Sequence, residues 1–252
     1  MDASFGSFQC GGKLALVTGG GSGIGAAIAR QLSSAGARVI VSDINLAAAQ
    51  AVADECENAS SVMLDVTSDA SIYEVFSDIE ALDVLVNNAG IGMVGGVEQT
   101  SPDDFRRIMR VNVESVFRVT QIALPALLKT RGSIVNIGSV AGLVGVKQRF
   151  AYCASKGAVI AMTRQLSVDY PKELRVNCVC PGTVDTPFVA GYLARYHAGE
   201  EDAVREQIKL RQPVGRLGTS DEVAALVRYL CSPEADFMHG SVISMDGGWT
   251  AA

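Results

Sequence analysis

Seven short apolar runs constrain this chain more than anything else in it: Leu14–Val17, Arg38–Val41, Val62–Leu64, Val84–Val86, Ile134–Ile137, Val176–Val179 and Val242–Met245. A strand that faces water on one side alternates apolar with polar residues. Runs of β-branched and aliphatic residues without that alternation belong to strands covered on both faces, as in a parallel sheet. Helix-length segments of the right period separate them. Ile24, Ile28 and Leu32 fall four apart and stop before Gly36, a residue suited to ending a helix. Ser101-Pro102-Asp103-Asp104 opens another helix with a Ser cap, a first-turn Pro and two carboxylates at the positive end. Phe105, Ile108, Met109, Val113, Val116 and Phe117 carry that helix past Asn112. Strand alternating with helix throughout predicts an α/β, doubly wound Rossmann fold on a mainly parallel seven-stranded sheet. With no repeat or linker, the expected division is a short extension over residues 1–12 and one domain over 13–252.

Bulk chemistry narrows the partners. The net charge of -6, with no basic block to offset it, argues against nucleic acid and anionic membranes, while one or two placed arginines still suffice for a small anion. No apolar run approaches the roughly 20 residues of a membrane span, and the first twelve residues lack a secretory pattern. The six cysteines, Cys10, Cys56, Cys153, Cys178, Cys180 and Cys231, are scattered and read as buried free thiols rather than metal ligands, with only His197 and His239 to help them. A cytoplasmic protein without a metal is the expectation.

The first strand runs into Thr18-Gly19-Gly20-Gly21-Ser22-Gly23-Ile24-Gly25 and then a helix. Glycines there make the turn tight, let backbone approach a pyrophosphate and let the helix pack on the strand, while the helix N-terminus offers free N–H groups to phosphate. Asp43 ends the second strand 18 residues past Gly25. A carboxylate at that point can accept both adenosine ribose hydroxyls and repel a 2′-phosphate, which favours NAD; its plain alternative is a solvated strand end. Further on, Tyr152-Cys153-Ala154-Ser155-Lys156 sets a phenol and an ammonium four residues apart, on one helix face. A free phenol keeps its proton at neutral pH; a fixed ammonium and the positive ring of an oxidised nicotinamide would favour its phenolate.

These segments, in this order from about Lys13 to Thr250, resemble the classical short-chain dehydrogenase/reductase family. Its glycine turn reads Thr-Gly-x3-Gly-x-Gly, as here, rather than Gly-x-Gly-x-x-Gly. The resemblance implies catalytic roles for Asn112, Ser139, Tyr152 and Lys156: Tyr152 exchanges the proton, Ser139 holds the substrate oxygen, Lys156 also holds the nicotinamide ribose, and Asn112 anchors a water in a proton path. It implies cofactor contacts at Gly19, Ser22, Gly23, Ile24, Gly25, Asp43, Asp65, Val66, Asn88, Gly90, Tyr152, Lys156, Val184 and Thr186. Asp65-Val66 would close the third strand, and Asn87 reads equally as a sheet-steadying residue. Ser22 stands where NADP-preferring relatives often carry a basic residue, again favouring NAD. A homotetramer and a substrate lid over about 187–213 also follow from the resemblance.

The alcohol is read from charge. Arg149, three residues before Tyr152, should lie at the mouth of the site, and the lid adds Arg195, Arg205, Lys209 and Arg211. A guanidinium can grip a carboxylate with two parallel hydrogen bonds. Ser139, Arg149, Tyr152 and Arg211 are therefore the expected substrate contacts, and most lid cations are expected to be solvated. Asn177–Pro187 and Arg211–Arg216 are similar to type 2 3-hydroxybutyrate dehydrogenases and to bacterial dehydrogenases of 2-keto-3-deoxy-L-fuconate. The expected substrate is a small hydroxy acid or deoxy sugar acid, oxidised with NAD. An NADPH-dependent 3-oxoacyl-thioester reductase is the enzymatic alternative; a non-catalytic nucleotide-sensing or scaffold protein is the alternative of another class.

Overall fold

In the computed structural model, which describes residues 8–251, six of the apolar runs seen in the sequence lie within strands and the seventh overlaps one. The strands are β1 Leu14–Thr18, β2 Arg38–Asp43, β3 Ala59–Met63, β4 Val84–Asn87, β5 Ser133–Ile137, β6 Arg175–Pro181 and β7 Val242–Met245. The helices are α1 Gly23–Ser34, α2 Leu46–Asp54, α3 Asp69–Phe76, α4 Pro102–Met109, α5 Ser115–Thr130, α6 Phe150–Asp169, α7 Pro187–Tyr196, α8 Glu201–Lys209 and α9 Ser220–Cys231. The strands form one sheet in the order β3-β2-β1-β4-β5-β6-β7, and every pairing is parallel. The strand order reverses direction between β1 and β4, so the connections leave to opposite sides and a crevice opens at the carboxyl ends.

The pleat explains why the runs lack alternation. Ala15 and Val17 pack with Ile28 and Leu32 of α1, Val52 of α2 and Val227 of α9. Leu14 and Leu16, pointing the other way, pack with Ile72 of α3, Leu127 of α5 and Leu166 of α6. Both faces are dry, so both residue sets are apolar. The edge strand β3 departs from the expectation. It covers Ala59–Met63 rather than Val62–Leu64, starting on Ser60 and Ser61, because an edge tolerates polar residues that a central strand does not. Asp65 and Val66 accordingly lie beyond the strand instead of closing it.

The helix started by Ser101 also differs from its expected form. Ser101 caps it through the Asp104 N–H, with Pro102 in the first turn, but it runs only to Met109. Arg110–Glu114 is a π-turn, and α5 starts after it. Asn112, poor in a regular helix, thus sits in the wider turn and is almost completely buried. Helix α9 opens with a capping box between Thr219 and Glu222, and Arg216 grips the Glu222 carboxylate at 2.6 and 2.9 Å. The Arg216 hydrogen bonds, with the Thr219 backbone N–H, hold Glu222 down to about 2.

Of residues 1–12, those from 8 onward are described. Cys10 is buried in the core, its N–H donates to the Ala35 carbonyl, and Phe8 meets Tyr229 edge-on. All six cysteines are free; Cys10, Cys178, Cys180 and Cys231 are buried and Cys56 and Cys153 partly so. Burial pushes the Cys231 thiol up to about 12. Cys178 and Cys180 share one face of β6, with sulfurs 3.8 Å apart. Among the described residues no cluster of His, Cys, Asp and Glu could hold a metal, and no helix is long and apolar enough to cross a membrane.

Candidate active site

The glycine turn is shaped by close approaches. Gly19 and Gly23 have positive φ, and a Cβ on Gly25 would run into the Gly19 carbonyl. Three neighbours hold the turn. The Thr18 hydroxyl accepts the Asn88 and Ala89 N–H groups at 3.0 and 3.1 Å, and the Asn88 amide donates to the Thr18 and Gly19 carbonyls. Asp43 accepts the Gly21 N–H at 3.0 Å on one oxygen and the Asn45 N–H at 2.9 Å on the other. Ser22 stands at the N-cap of α1 with extended backbone, yet its hydroxyl accepts none of the helix N–H groups. The positive end of α1 is therefore left for another acceptor, as phosphate binding requires. Asn87, by contrast, is structural: its amide donates to Asn136 of β5 and to the Thr120 hydroxyl of α5.

One crevice of about 550 Å³ runs from this turn to the start of α6. At one end lie Gly19, Ser22, Gly23, Ile24, Asp43, Asp65 and Val66; in the middle Asn88, Gly90, Val184 and Thr186; at the far end Ser139, Tyr152, Lys156, Arg149 and Arg211. Every expected site residue except Gly25 and Asn112 lines it. Gly25 is buried behind the turn, and Asn112 stands behind Gly90.

Ser139 ends β5 as the cap of a 3-10 turn, its oxygen accepting the Ala141 N–H at 3.1 Å, which fixes the hydroxyl at the crevice floor. Tyr152 lies in the first turn of α6, half-buried, and its hydroxyl has no hydrogen-bond partner among the described residues. The buried Lys156 ammonium is 5.9 Å from the Tyr152 ring centre and donates to the Ile137 carbonyl at 2.8 Å. An ammonium has three N–H bonds, so Ile137 leaves donors for the crevice. Asn112 accepts the Ile91 N–H at 2.8 Å and donates to the Ile91 carbonyl and Ser155 hydroxyl at 2.9 and 3.1 Å. Both amide hydrogens are used, so the Asn112 side chain has no donor left for a water. A Cβ on Gly90 would stand 3.3 Å from the Asn112 oxygen and 3.7 Å from the Lys156 nitrogen, so a larger residue there would crowd Asn112.

The cations divide cleanly. Arg205 pairs with Asp185 and Lys209 with Glu206, so these two are occupied. Arg149, Arg195 and Arg211 form no ion pair among the described residues. Arg149 donates to the Met93 carbonyl at 3.0 Å and lies 4.4 Å from the Tyr192 ring centre; Arg211 lies 5.9 Å from that of Trp249. Tyr192, Phe188 and Trp249 line the crevice and were not singled out from sequence. Trp249, the chain's one tryptophan, was the available signal, since a large aromatic after the last strand needs something to pack on.

Comparison with known proteins agrees with this geometry. A family model described as enoyl-(acyl carrier protein) reductase, of the short-chain dehydrogenase type, matches residues 19–250. The chain belongs to the classical short-chain dehydrogenase/reductase family. A 2-keto-3-deoxy-L-fuconate dehydrogenase of Xanthomonas campestris is 39% identical over 242 residues, covering 95% of this chain and 80% of that protein. A meso-2,3-butanediol dehydrogenase of Serratia marcescens is 37% identical, covering 95% of each. Among solved structures, the ligand-free aldohexose dehydrogenase of Thermoplasma acidophilum superposes with a TM-score of 0.86 at 35% identity, over 95% of this chain and 94% of that one. The protein is thus an oxidoreductase acting on CH–OH donors with a nicotinamide cofactor.

Proposed function

We propose that this dehydrogenase uses NAD to oxidise a secondary alcohol that carries an acidic group, a hydroxy acid or deoxy sugar acid. The observation that carries the reading is the pairing of ends in one crevice: a carboxylate, Asp43, at the glycine turn, and unpaired guanidiniums, Arg149 and Arg211, beside Tyr152. The glycine cradle, the uncapped end of α1 and Asp43 suit a dinucleotide whose adenosine ribose is unphosphorylated. Gly19, Ser22, Gly23, Ile24 and Gly25 would shape or hold its phosphates, Asp65 and Val66 its adenine, and Asn88, Gly90, Val184, Thr186 and Lys156 its nicotinamide half.

When bound, the nicotinamide supplies the two-electron acceptor. The Tyr152 phenolate takes the proton of the substrate hydroxyl, Ser139 holds that oxygen, and the Lys156 ammonium stabilises the phenolate. Asn112 acts as a positioning residue: its two-point grip on Ile91 sets the loop beside Lys156, and any water it anchors would rest on its main-chain carbonyl. Arg149 supports the acidic substrate, since its charge faces the crevice without a carboxylate of its own. A C2-type pairing through α4, α5 and α6 and a tetramer joined through β7 belong to the same reading. The test is a screen of NAD+ and NADP+ reduction across hydroxy acids, sugar acids, free sugars and simple diols. Oxidation of acids with NAD+, with kcat/KM falling at least tenfold in Arg149→Ala, is the expected result; equal activity of Arg149→Ala on acids would refute the anion anchor.

A further inference from the structure

A second, smaller cavity of about 250 Å³ adjoins the reaction end of the crevice. The two share Arg149, Phe188 and Tyr192 in their walls, and the smaller continues to Arg107 on α4 and to Arg195 and Tyr196 on α7. Three guanidiniums from separate parts of the chain face one hollow, and no carboxylate lines it. Arg149 and Arg195 are held without an ion pair among the described residues, and Arg107 has one long, exposed pair. Arg149 rests on Tyr192 and the Met93 carbonyl, and Arg195 lies 5.3 Å from the Tyr196 ring centre. Arg107 has only Asp104, at 3.8 Å, and that carboxylate also accepts the Ser101 hydroxyl. Like charges lining one cavity repel one another unless an anion sits among them. A planar carboxylate offers two oxygens, whereas a tetrahedral oxyanion offers one to each of three forks.

We infer that this side cavity is a subsite for a tetrahedral oxyanion, a phosphate ester or a sulfonate, borne at the far end of the substrate from the carbinol that meets Tyr152. The inference rests on the dehydrogenase reading above and changes its acid: the acidic group is a tetrahedral oxyanion rather than a carboxylate, remote from the reacting carbon on the other side of Arg149. Phe188 and Tyr192 then flank the chain that links the two.

Calorimetric titration of the NADH complex with hexyl phosphate, hexanesulfonate and hexanoate tests it directly. Hexyl phosphate or hexanesulfonate should bind more tightly than hexanoate, and the better ligand reports which head group the cavity takes. The affinity should fall about tenfold or more in R107Q/R195Q, which keeps the side-chain stems. A second readout compares oxidation of 5-hydroxyhexyl phosphate with that of 2-hexanol; the phosphate should gain at least tenfold in kcat/KM through KM, and the double variant should close the gap. Saturable binding that is indifferent to R107Q/R195Q, absence of binding, or equal turnover of charged and uncharged alcohols overturns the subsite. If hexyl phosphate binding depends on the two arginines while no alcohol is oxidised, the subsite stands and the dehydrogenase reading of the substrate falls.

Discussion

Replacing Asp43 by Asn removes one charge and keeps the shape, so it isolates what the carboxylate does for cofactor choice. In the structure each Asp43 oxygen already takes one backbone N–H, from Gly21 and Asn45, and each oxygen has a second lone pair free for a ribose hydroxyl. Asn offers one acceptor oxygen in place of two, so at least one charged hydrogen bond to ribose is lost, worth about 1.5–3 kcal/mol. Against a 2′-phosphate the same change removes a repulsion. Two unit charges about 4 Å apart interact by about 1 kcal/mol in bulk water and about 4 at an effective dielectric of about 20. Asp43 is half-buried, so the true figure lies between these. Adding the lower ends gives about 2.5 kcal/mol, a shift of roughly sixtyfold in the NAD/NADP preference at about 1.4 kcal/mol per decade. The assay needs no substrate: Trp249 lines the crevice and is the one tryptophan, so energy transfer to a reduced nicotinamide reports binding of NADH and NADPH directly. Thermal melting of Asp43→Asn, which loses a backbone anchor as well, controls for loosening of the turn. A Kd ratio that moves by less than threefold in a well-folded variant would refute the assignment of Asp43 to the ribose.

Tyr152→Phe should lower kcat by about 10²–10⁴, the span of a general base, while Trp249-detected NADH binding stays unchanged; a loss of binding instead would mean that the phenol holds cofactor rather than moving a proton. Gly138→Ala would put a Cβ 2.7 and 2.8 Å from the Cys178 and Cys180 sulfurs, costing about 1–3 kcal/mol and several degrees of Tm, and a Cys178→Ala partner should recover part of it. Glu222→Gln tests the α9 cap through pH. Its folded carboxyl titrates at about 2, below its ordinary value of 4.5, so its contribution is complete above about pH 5 and disappears as pH falls through 2. The Tm gap between wild type and Glu222→Gln should therefore be present at pH 7, at most about 1 kcal/mol in worth because the pair is exposed, and shrink steadily in acid. A gap that grows in acid would contradict the pairing.

The sheet was legible in the sequence because its central strands are dry on both faces: Val84–Val86 and Ile134–Val135 are unbroken apolar stretches, and the polar Asn87, Ser133 and Asn136 beside them are buried. The same physics hid the start of β3, whose Ser60 and Ser61 sit at an edge. Of the site, the tetrad and the glycine turn could be read because each is a local spacing. The π-turn could not: Ile108, Asn112 and Val116 keep a four-residue step through it, so burial alone looks like one continuous helix. Arg107 escaped notice for another reason. It belongs to α4, far in sequence from Arg149 and Arg195, and only the packing of α4 beside α6, with α7 lining the same cavity, gathers the three. The lid cations were sorted only by partners across space, with Arg205 claimed by Asp185 and Arg211 left against Trp249.

The π-turn also bears on how this protein can change over evolutionary time. One residue advances a regular helix by about 100°, and a π-turn is in effect a single inserted residue absorbed on the spot. Shortening the chain by one residue between Met109 and Ser115 would restore a regular helix. Because the extra residue is absorbed locally, Ile108 and Val119, both buried, would keep their phase, while Asn112 would lose the widened turn that seats it. Length at this point is thus held by the seat of Asn112, whose side chain grips Ile91 and Ser155, and not by the packing of α4 and α5. Single-residue deletions stepped along residues 102–130 should therefore be best tolerated across 110–114 when folding alone is scored, and should still cost activity there through Asn112.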